Sequence, residues 1–420
     1  MKKFERFIAV LVVFALALTL FVAFRPSEAI SSSKKVTIST SMWGDINAKY
    51  DFIAAFERKY PNIKVNVIKA PENYSEKLQA MIAANKAPDV PLVWECDIGR
   101  FAKNGVIIPL DPYIKKTKEF TMDDFIPAFA KLTKMQGAVY GLPWCFATEI
   151  MYYNKTLFDK AKVPYPTDKW SWEDVLNAAK KLTIVKGGKT IQWGIDYPRF
   201  VGIWYALIGA AGDDVADEKG NVALGKGVKT AVQWVYDLVN KYKVMPAPST
   251  SMGVTDLFAS GKAAMTFTGS WMISTYRDIK DFKWDIAPLP KKVRQYSNLH
   301  TGFYTISKTS KHKEESWKFI EFMLSEEGQK ILSQGYNNPS ARKSIMAKGY
   351  YKVAGPNGPT NWKAMDETAQ FAQLGYVLLP PGGTDKFVKR LESAVAKQVS
   401  IDQAVNEGIK ELKEITASYK

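Results

Sequence analysis

Between Val36 and Trp94 the chain changes its apolar period from two to 3.6 and back, twice over, and few folds accept that pattern. Val36 and Ile38 alternate with polar residues as on a half-buried strand. Phe52, Ala55, Phe56 and Tyr60 then share one helical face, and Pro61 blocks its continuation. Ile63, Val65 and Val67 alternate again, a helical face follows through Leu78, Met81 and Ile82, and Val90–Trp94 reads as an apolar strand. Strand–helix–strand units in series predict a parallel, doubly wound α/β sheet, because parallel neighbours need a crossover long enough to hold a helix. Ligands on such sheets sit beyond the carboxyl ends of the strands. Those ends carry Trp43 and Asp45 after the first strand, Tyr74 after the second, and Trp94, Glu95 and Asp97 after the third.

Farther along, "AVYGLPWCFATEIMYYNKTLF" predicts an apolar strand with Trp144 and Glu149. "DKWSWEDVLNAAKKL" starts a helix with Ser171 as N-cap and Asp174 three residues on, close to a capping box. "RFVGIWYALIGAAG" is a helix carrying Trp204, and "VTDLFASGKAAMTFTGSW" is helix, glycine stop, strand and a tight turn that delivers Trp271. Trp234, Trp284, Trp317 and Trp362 are assigned to packing.

The first residues belong to export rather than to the fold. Lys2, Lys3 and Arg6 precede an apolar run over 7–24, and Ser27 and Ala29 are small where a signal peptidase reads. A signal peptide over 1–29, cleaved after Ala29, is expected, which places the protein in the periplasm or otherwise outside the cytoplasm. An uncleaved anchor is the alternative, since the run is just long enough to span a bilayer. About 390 residues remain, long for one core and suited to two domains. The net charge of +16 raises nucleic acid as a partner. The lysines, however, are scattered and mixed with glutamate, and no RNP-like, helix-turn-helix or zinc-finger spacing is present, so a solvated surface is expected. Cys96 and Cys145 are a permitted disulfide in an exported chain, or two small buried apolar residues. Two cysteines and the separated His300 and His312 make no metal site.

"AFERKYPNIKVNV", "APDVPLVW", "GLPW…MYYNKTLFDKA", "WSWEDVLNAAKKLT", "LFASGKAAMTFTGSW", "KEESWKFIEFMLSEEGQ" and "NNPSARKS" occur in this order and span nearly all of the exported part. Together they resemble the extracellular solute-binding proteins of carbohydrate ABC transporters, the maltose-binding-like family. The resemblance implies two doubly wound α/β lobes joined by a multi-strand hinge, the type II periplasmic binding protein fold. One lobe would comprise 30–146 and 301–347, the other 147–300 and 348–420. Hinge crossings would fall near 145–149, 298–302 and 347–353.

It also implies a site between the lobes. Trp94 matches an aromatic platform, Asp97 a hydroxyl acceptor, and Trp271, after Gly269 and Ser270, the stacking residue of the second lobe. Trp43 and Asp45 occupy the first ligand-bearing loop. The maltose-specific member carries an acid where this chain has Ala147, and Glu149 lies two residues on, facing the same side of a strand. Tyr376 falls where another platform is expected, and Tyr74, Trp144, Trp204 and Asn338 are wall candidates by position. A carbohydrate ligand is implied, with permease subunits and their cytoplasmic ATPase as partners. A monomer is implied, with no cofactor, no metal, no catalytic residue and no nucleic acid. Three alternatives stand beside this: an acidic sugar, if Arg100 or Arg277 faces the cleft; a non-sugar solute; and a glycan-acting enzyme using carboxylates such as Glu95, Asp97 and Glu149.

Overall fold

The computed structural model describes residues 35–42, 48–69, 74–135, 137–217, 219–248 and 256–419. The expected signal segment 1–29 and both Trp43 and Asp45 lie outside those residues. Strand β1 (Val36–Met42), helix α1 (Phe52–Lys59), strand β2 (Ile63–Lys69), helix α2 (Tyr74–Ala83), strand β3 (Val90–Trp94) and the short helix α3 (Ile98–Lys103) follow one another. Helix α1 starts where the Asp51 carboxylate accepts from Ala54 N, satisfying one of the amides a helix leaves unpaired at its start. It buries Phe52, Ala55 and Phe56 of the face its spacing predicts, while Tyr60 falls at the C-cap and is only half-buried. β1 lies between β2 and β3 and runs parallel to β3, with Thr40 opposite Val90.

Beyond β3 the strands that complete the sheets arrive from far along the chain. Strands β4 (Leu142–Pro143) and β5 (Ala147–Asn154) precede helices α4 (Trp172–Leu182) and α5 (Val201–Ala210). Strands β6 (Met265–Gly269), β7 (Trp284–Ala287), β8 (Ser297–His300) and β9 (Gly302–Tyr304), helix α6 (Glu326–Tyr336) and strand β10 (Ala372–Gln373) come next. One sheet has the order β2-β1-β3-β9-β4, and β9 runs antiparallel to both of its neighbours. The other has the order β6-β5-β8-β10, with β7 also paired to β5. Each sheet with its helices makes one α/β lobe.

β5 is the spine of the second lobe. All eight of its residues are buried, and they alternate between the two faces of the sheet as a strand must. Met151 and Tyr153 join the apolar cluster around Trp204, while Ile150 and Tyr152 join the cluster around Trp284. Helix α4 opens with the capping box that Ser171 and Asp174 predict. Helix α5 buries nine of its ten residues, so it is apolar all round and sits inside the lobe rather than on it.

The chain passes between the sheets at two tightly joined places. It leaves the first sheet at Pro143 and enters the second at Ala147. It returns between His300 and Gly302, with Thr301 alone in between. Trp144 N donates to Gly302 O at 3.1 Å, and the Thr301 hydroxyl donates to Cys145 O at 2.5 Å, so the two passages are hydrogen-bonded to each other.

Candidate functional site

The carboxyl end of β3 presents Trp94, the only residue of that strand that is not buried, at 36% exposure. The Tyr74 ring stacks on it, with centroids 6.3 Å apart and planes 12° from parallel. Tyr74 itself is buried, and its hydroxyl donates to Leu92 O and lies 2.7 Å from Ser41 Oγ. It supports the Trp94 ring with its polar end already bonded. Asp97 is also buried, and its carboxylate accepts from Ser75 Oγ at 2.5 Å and from the Arg100 guanidinium at 2.7 Å.

Glu149 lies within β5 with none of its surface exposed. Its Oε2 accepts from Asn298 N at 2.6 Å and lies 2.9 Å from Ser297 Oγ. Its Oε1 lies 3.1 Å from Asn298 Nδ2 and 2.7 Å from His300 Nε2. A Cβ on Gly202 would come within 2.4 Å of this oxygen, so the start of α5 needs a glycine for the carboxylate to fit. The other nitrogen of His300, Nδ1, is 3.2 Å from Glu95 Oε1. One imidazole therefore joins a carboxylate beside the first sheet to a carboxylate inside the second.

Burial by itself pushes the His300 imidazole down, but the two carboxylates outweigh it and raise the group from 6.5 to about 10. An imidazolium donates from both nitrogens, and the geometry asks for that form. A folded-state value above the unfolded one gives stability that is complete below the unfolded value and is lost as pH rises towards the folded one. The unfolding free energy is thus expected to decline between pH 6.5 and about 10, and the decline to shrink in His300→Gln. Denaturant midpoints measured across that range check it. An equal decline in both proteins would remove His300 as the source.

Three rings close around His300. Trp271 meets it edge-to-face at 5.5 Å, Phe200 at 5.7 Å and Tyr376 at 5.7 Å. Trp271 and Phe200 also meet each other at 5.0 Å and 84°. Trp271 sits half-buried on the short turn Ser270–Met272 after β6. Gly269 is needed there for a reason other than turning, since its φ of −73° suits any residue. A Cβ at Gly269 would lie 2.2 Å from the Trp271 indole, so the glycine makes room for the ring that follows it. Ser270 Oγ accepts from Thr148 N and ties the turn to β5. Tyr376 stacks on Tyr205 at 4.9 Å, and it follows Gly375, whose φ of +41° is in the left-handed region that glycine tolerates.

The remaining candidates stand apart from this cluster. Trp204 is wholly buried in the second lobe's core, among the residues of α5. Trp144 is buried on the first passage, edge-on to Tyr336 at 5.4 Å. Asn338 is buried next to the Cys145 thiol. Cys96 and Cys145 are separate free thiols, and burial pushes both upward. Arg277 is buried and donates to Gln334 O, Gly335 O and Asn337 Oδ1, at and just beyond the end of α6. The site residues that sequence reasoning missed are His300 and Phe200. His300 carries a signal in hindsight: it is one of two histidines in the chain and falls inside the expected crossing 298–302.

Comparison with known proteins gives this arrangement a family. A family model described as bacterial extracellular solute-binding protein matches residues 51–382. The arabinooligosaccharide-binding protein of Bacillus subtilis (strain 168) is 29% identical over 345 residues, which cover 76% of this chain and 77% of that protein. Among solved structures, the ABC substrate-binding protein Lmo0181 from Listeria monocytogenes in complex with cycloalternan is 28% identical with a TM-score of 0.82, covering 91% of this chain and 99% of that one. The maltose-bound MalE3 of T. maritima, at 22% identity and a TM-score of 0.76 over 90% of this chain and 99% of that one, shares the fold. With its two α/β lobes, its paired passages and a match across most of its length, the chain belongs to the bacterial extracellular solute-binding proteins.

Proposed function

We propose that the protein is the sugar-capturing component of an ABC importer, working outside the cytoplasm. A neutral oligosaccharide is held between the lobes over Trp94 on one side and Trp271, Phe200 and Tyr376 on the other. The observation that carries this is the ring cluster around His300, because sugars offer flat C–H faces with hydroxyls at the rim. One indole covering about 100 Å² of sugar contributes roughly 2.5 kcal/mol, at about 25 cal/mol per Å². Micromolar binding needs about 8 kcal/mol net, so two or three such rings with a few hydrogen bonds suffice. Cycloalternan, bound in the Listeria relative, and the arabinooligosaccharides named for the Bacillus relative point the same way.

The lobes, 30–146 with 301–347 and 147–300 with 348–420, close as rigid bodies about the crossings near 145–149, 298–302 and 347–353. Only segments at the passages can absorb backbone rotation while both sheets stay intact. The closed, loaded monomer then docks on permease subunits driven by a cytoplasmic ATPase. Export by the segment 1–29, cleaved after Ala29 or retained as an anchor, delivers it to that side of the membrane.

Two alternatives lose ground on the residues present. An acidic sugar needs a cation in the cleft, whereas Arg277 points its guanidinium at the end of α6 and Arg100 pairs with Asp97. A glycosidase needs a carboxylic acid and a second carboxylate facing the scissile bond. Asp97 and Glu149 are both buried and occupied by protein donors. A thermal-shift panel of cycloalternan, maltotriose, arabinotriose and mannotriose is the test. A rise in melting temperature with at least one is expected, since a ligand that binds only the folded state stabilises it by mass action. No shift with any of them, or hydrolysis of the one that binds, would sink the proposal.

A further inference from the structure

We propose that Glu95 is a specificity-determining residue of the cleft: His300 fixes its carboxylate so that the second oxygen, Oε2, accepts sugar hydroxyls and turns away acidic sugars. The inference rests on the sugar-binding reading above and names the ligand class more narrowly. Glu95 follows Trp94 directly and so lies at the foot of the ring that β3 presents to solvent. Its side chain is 8% exposed, and its contact with His300 Nδ1 is through Oε1. Among the described residues no bond to Oε2 is recorded, and it is not among the buried polar atoms that lack a partner, so it keeps access to solvent. A carboxylate oxygen that stays open to solvent beside an aromatic platform is free to accept hydroxyl donors. Glu149 is the contrast, since both of its oxygens are filled by Asn298, Ser297 and His300.

His300 is the positioning residue. Nε2 is anchored on Glu149, and the ring is boxed by Trp271, Phe200 and Tyr376, which leaves Nδ1 a single direction in which to point. The titratable groups facing it are Glu95 from the end of β3, Glu149 from β5 and the Tyr376 phenol from the turn after β10. Two carboxylates and one imidazolium leave this floor one negative charge in excess. In a desolvated cleft that excess repels a uronate and welcomes hydroxyl donors, because unlike charges strengthen and like charges clash as water leaves.

The test is calorimetric titration of the wild type, Glu95→Gln, Glu95→Asp and His300→Gln with cycloalternan, maltotriose, arabinotriose and mannotriose, each set against trigalacturonate. The wild type is expected to bind a neutral sugar and to reject trigalacturonate. Glu95→Gln is expected to bind that neutral sugar at least tenfold more weakly and to lower the neutral-to-acid preference by a similar factor. Loss of structure alone would not shift that preference. His300→Gln is expected to reproduce the loss of affinity. Glu95→Asp keeps the charge and withdraws it by one methylene, so a folded Asp variant with tenfold weaker binding supports the proposal even if the Gln variant does not fold. Affinity within twofold of wild type in a folded Gln or Asp variant, with the preference unchanged, overturns the proposal and leaves sugar binding standing. Failure of the wild type to bind any of the four neutral sugars overturns both together.

Discussion

Glu149→Ala is expected to cost the protein about 3–5 kcal/mol of unfolding free energy, the usual penalty for removing one partner from a buried charged pair. The reason lies in what the carboxylate holds. Its two oxygens bring Asn298 N, Asn298 Nδ2, Ser297 Oγ and His300 Nε2 to one point inside the second sheet. Alanine leaves the buried Asn298 amide without its acceptor and the mostly buried His300 with Glu95 as its one remaining carboxylate. Glu149→Gln retains the shape and one acceptor oxygen, so it is expected to cost less than the alanine change. Equilibrium unfolding in denaturant, followed by tryptophan fluorescence, measures both. A loss under 1 kcal/mol for the alanine variant would mean that the network relaxes freely and does not organise the passage between the sheets.

That network also shows what a single sequence can and cannot reveal. The apolar period of Phe52, Ala55 and Phe56 is enough to find α1, because helix and strand periods are local and the core sees only one face. Ser171 and Asp174 are equally legible, since a capping box is written in four consecutive residues. The exposed place of Trp94 at the end of β3 is legible from strand-end logic. The site as a whole is not local. His300 meets Glu149 and Glu95 across 151 and 205 residues of chain, and no periodicity encodes a partner that distant. Phe200 is one aromatic among many until α5 folds back to place it against Trp271.

Trp204 is the reverse case. A tryptophan in an apolar stretch invites a binding role, yet nine buried residues out of ten make α5 a core helix, and the ring faces Tyr197 at 6.2 Å inside the lobe. Gly269 shows a subtler gap. The "TGSW" run reads as a turn, but the glycine's φ of −73° is ordinary, and what excludes a side chain is the indole two residues later. A steric need of that kind depends on a rotamer, which sequence pattern does not contain.

Trp271→Ala is expected to weaken sugar binding by at least tenfold while shifting the melting temperature of the unliganded protein by only a few degrees. Removing a platform that covers about 100 Å² of sugar forfeits roughly 2.5 kcal/mol, close to seventyfold at room temperature. The stability side is small because the ring is half-buried, and its neighbours Phe200 and Tyr376 remain packed against His300. Trp271→Phe separates stacking from mere filling: it retains a flat face of smaller area and is expected to recover part of the lost affinity. The informative comparison is between the calorimetric affinity of each variant for the sugar the wild type binds and its melting temperature without sugar. A drop of ten degrees or more with unchanged affinity would make Trp271 a packing residue, closing the second lobe over Gly269 and His300. Loss of affinity with an intact fold would place the sugar against the indole, directly above the imidazolium that joins the two sheets.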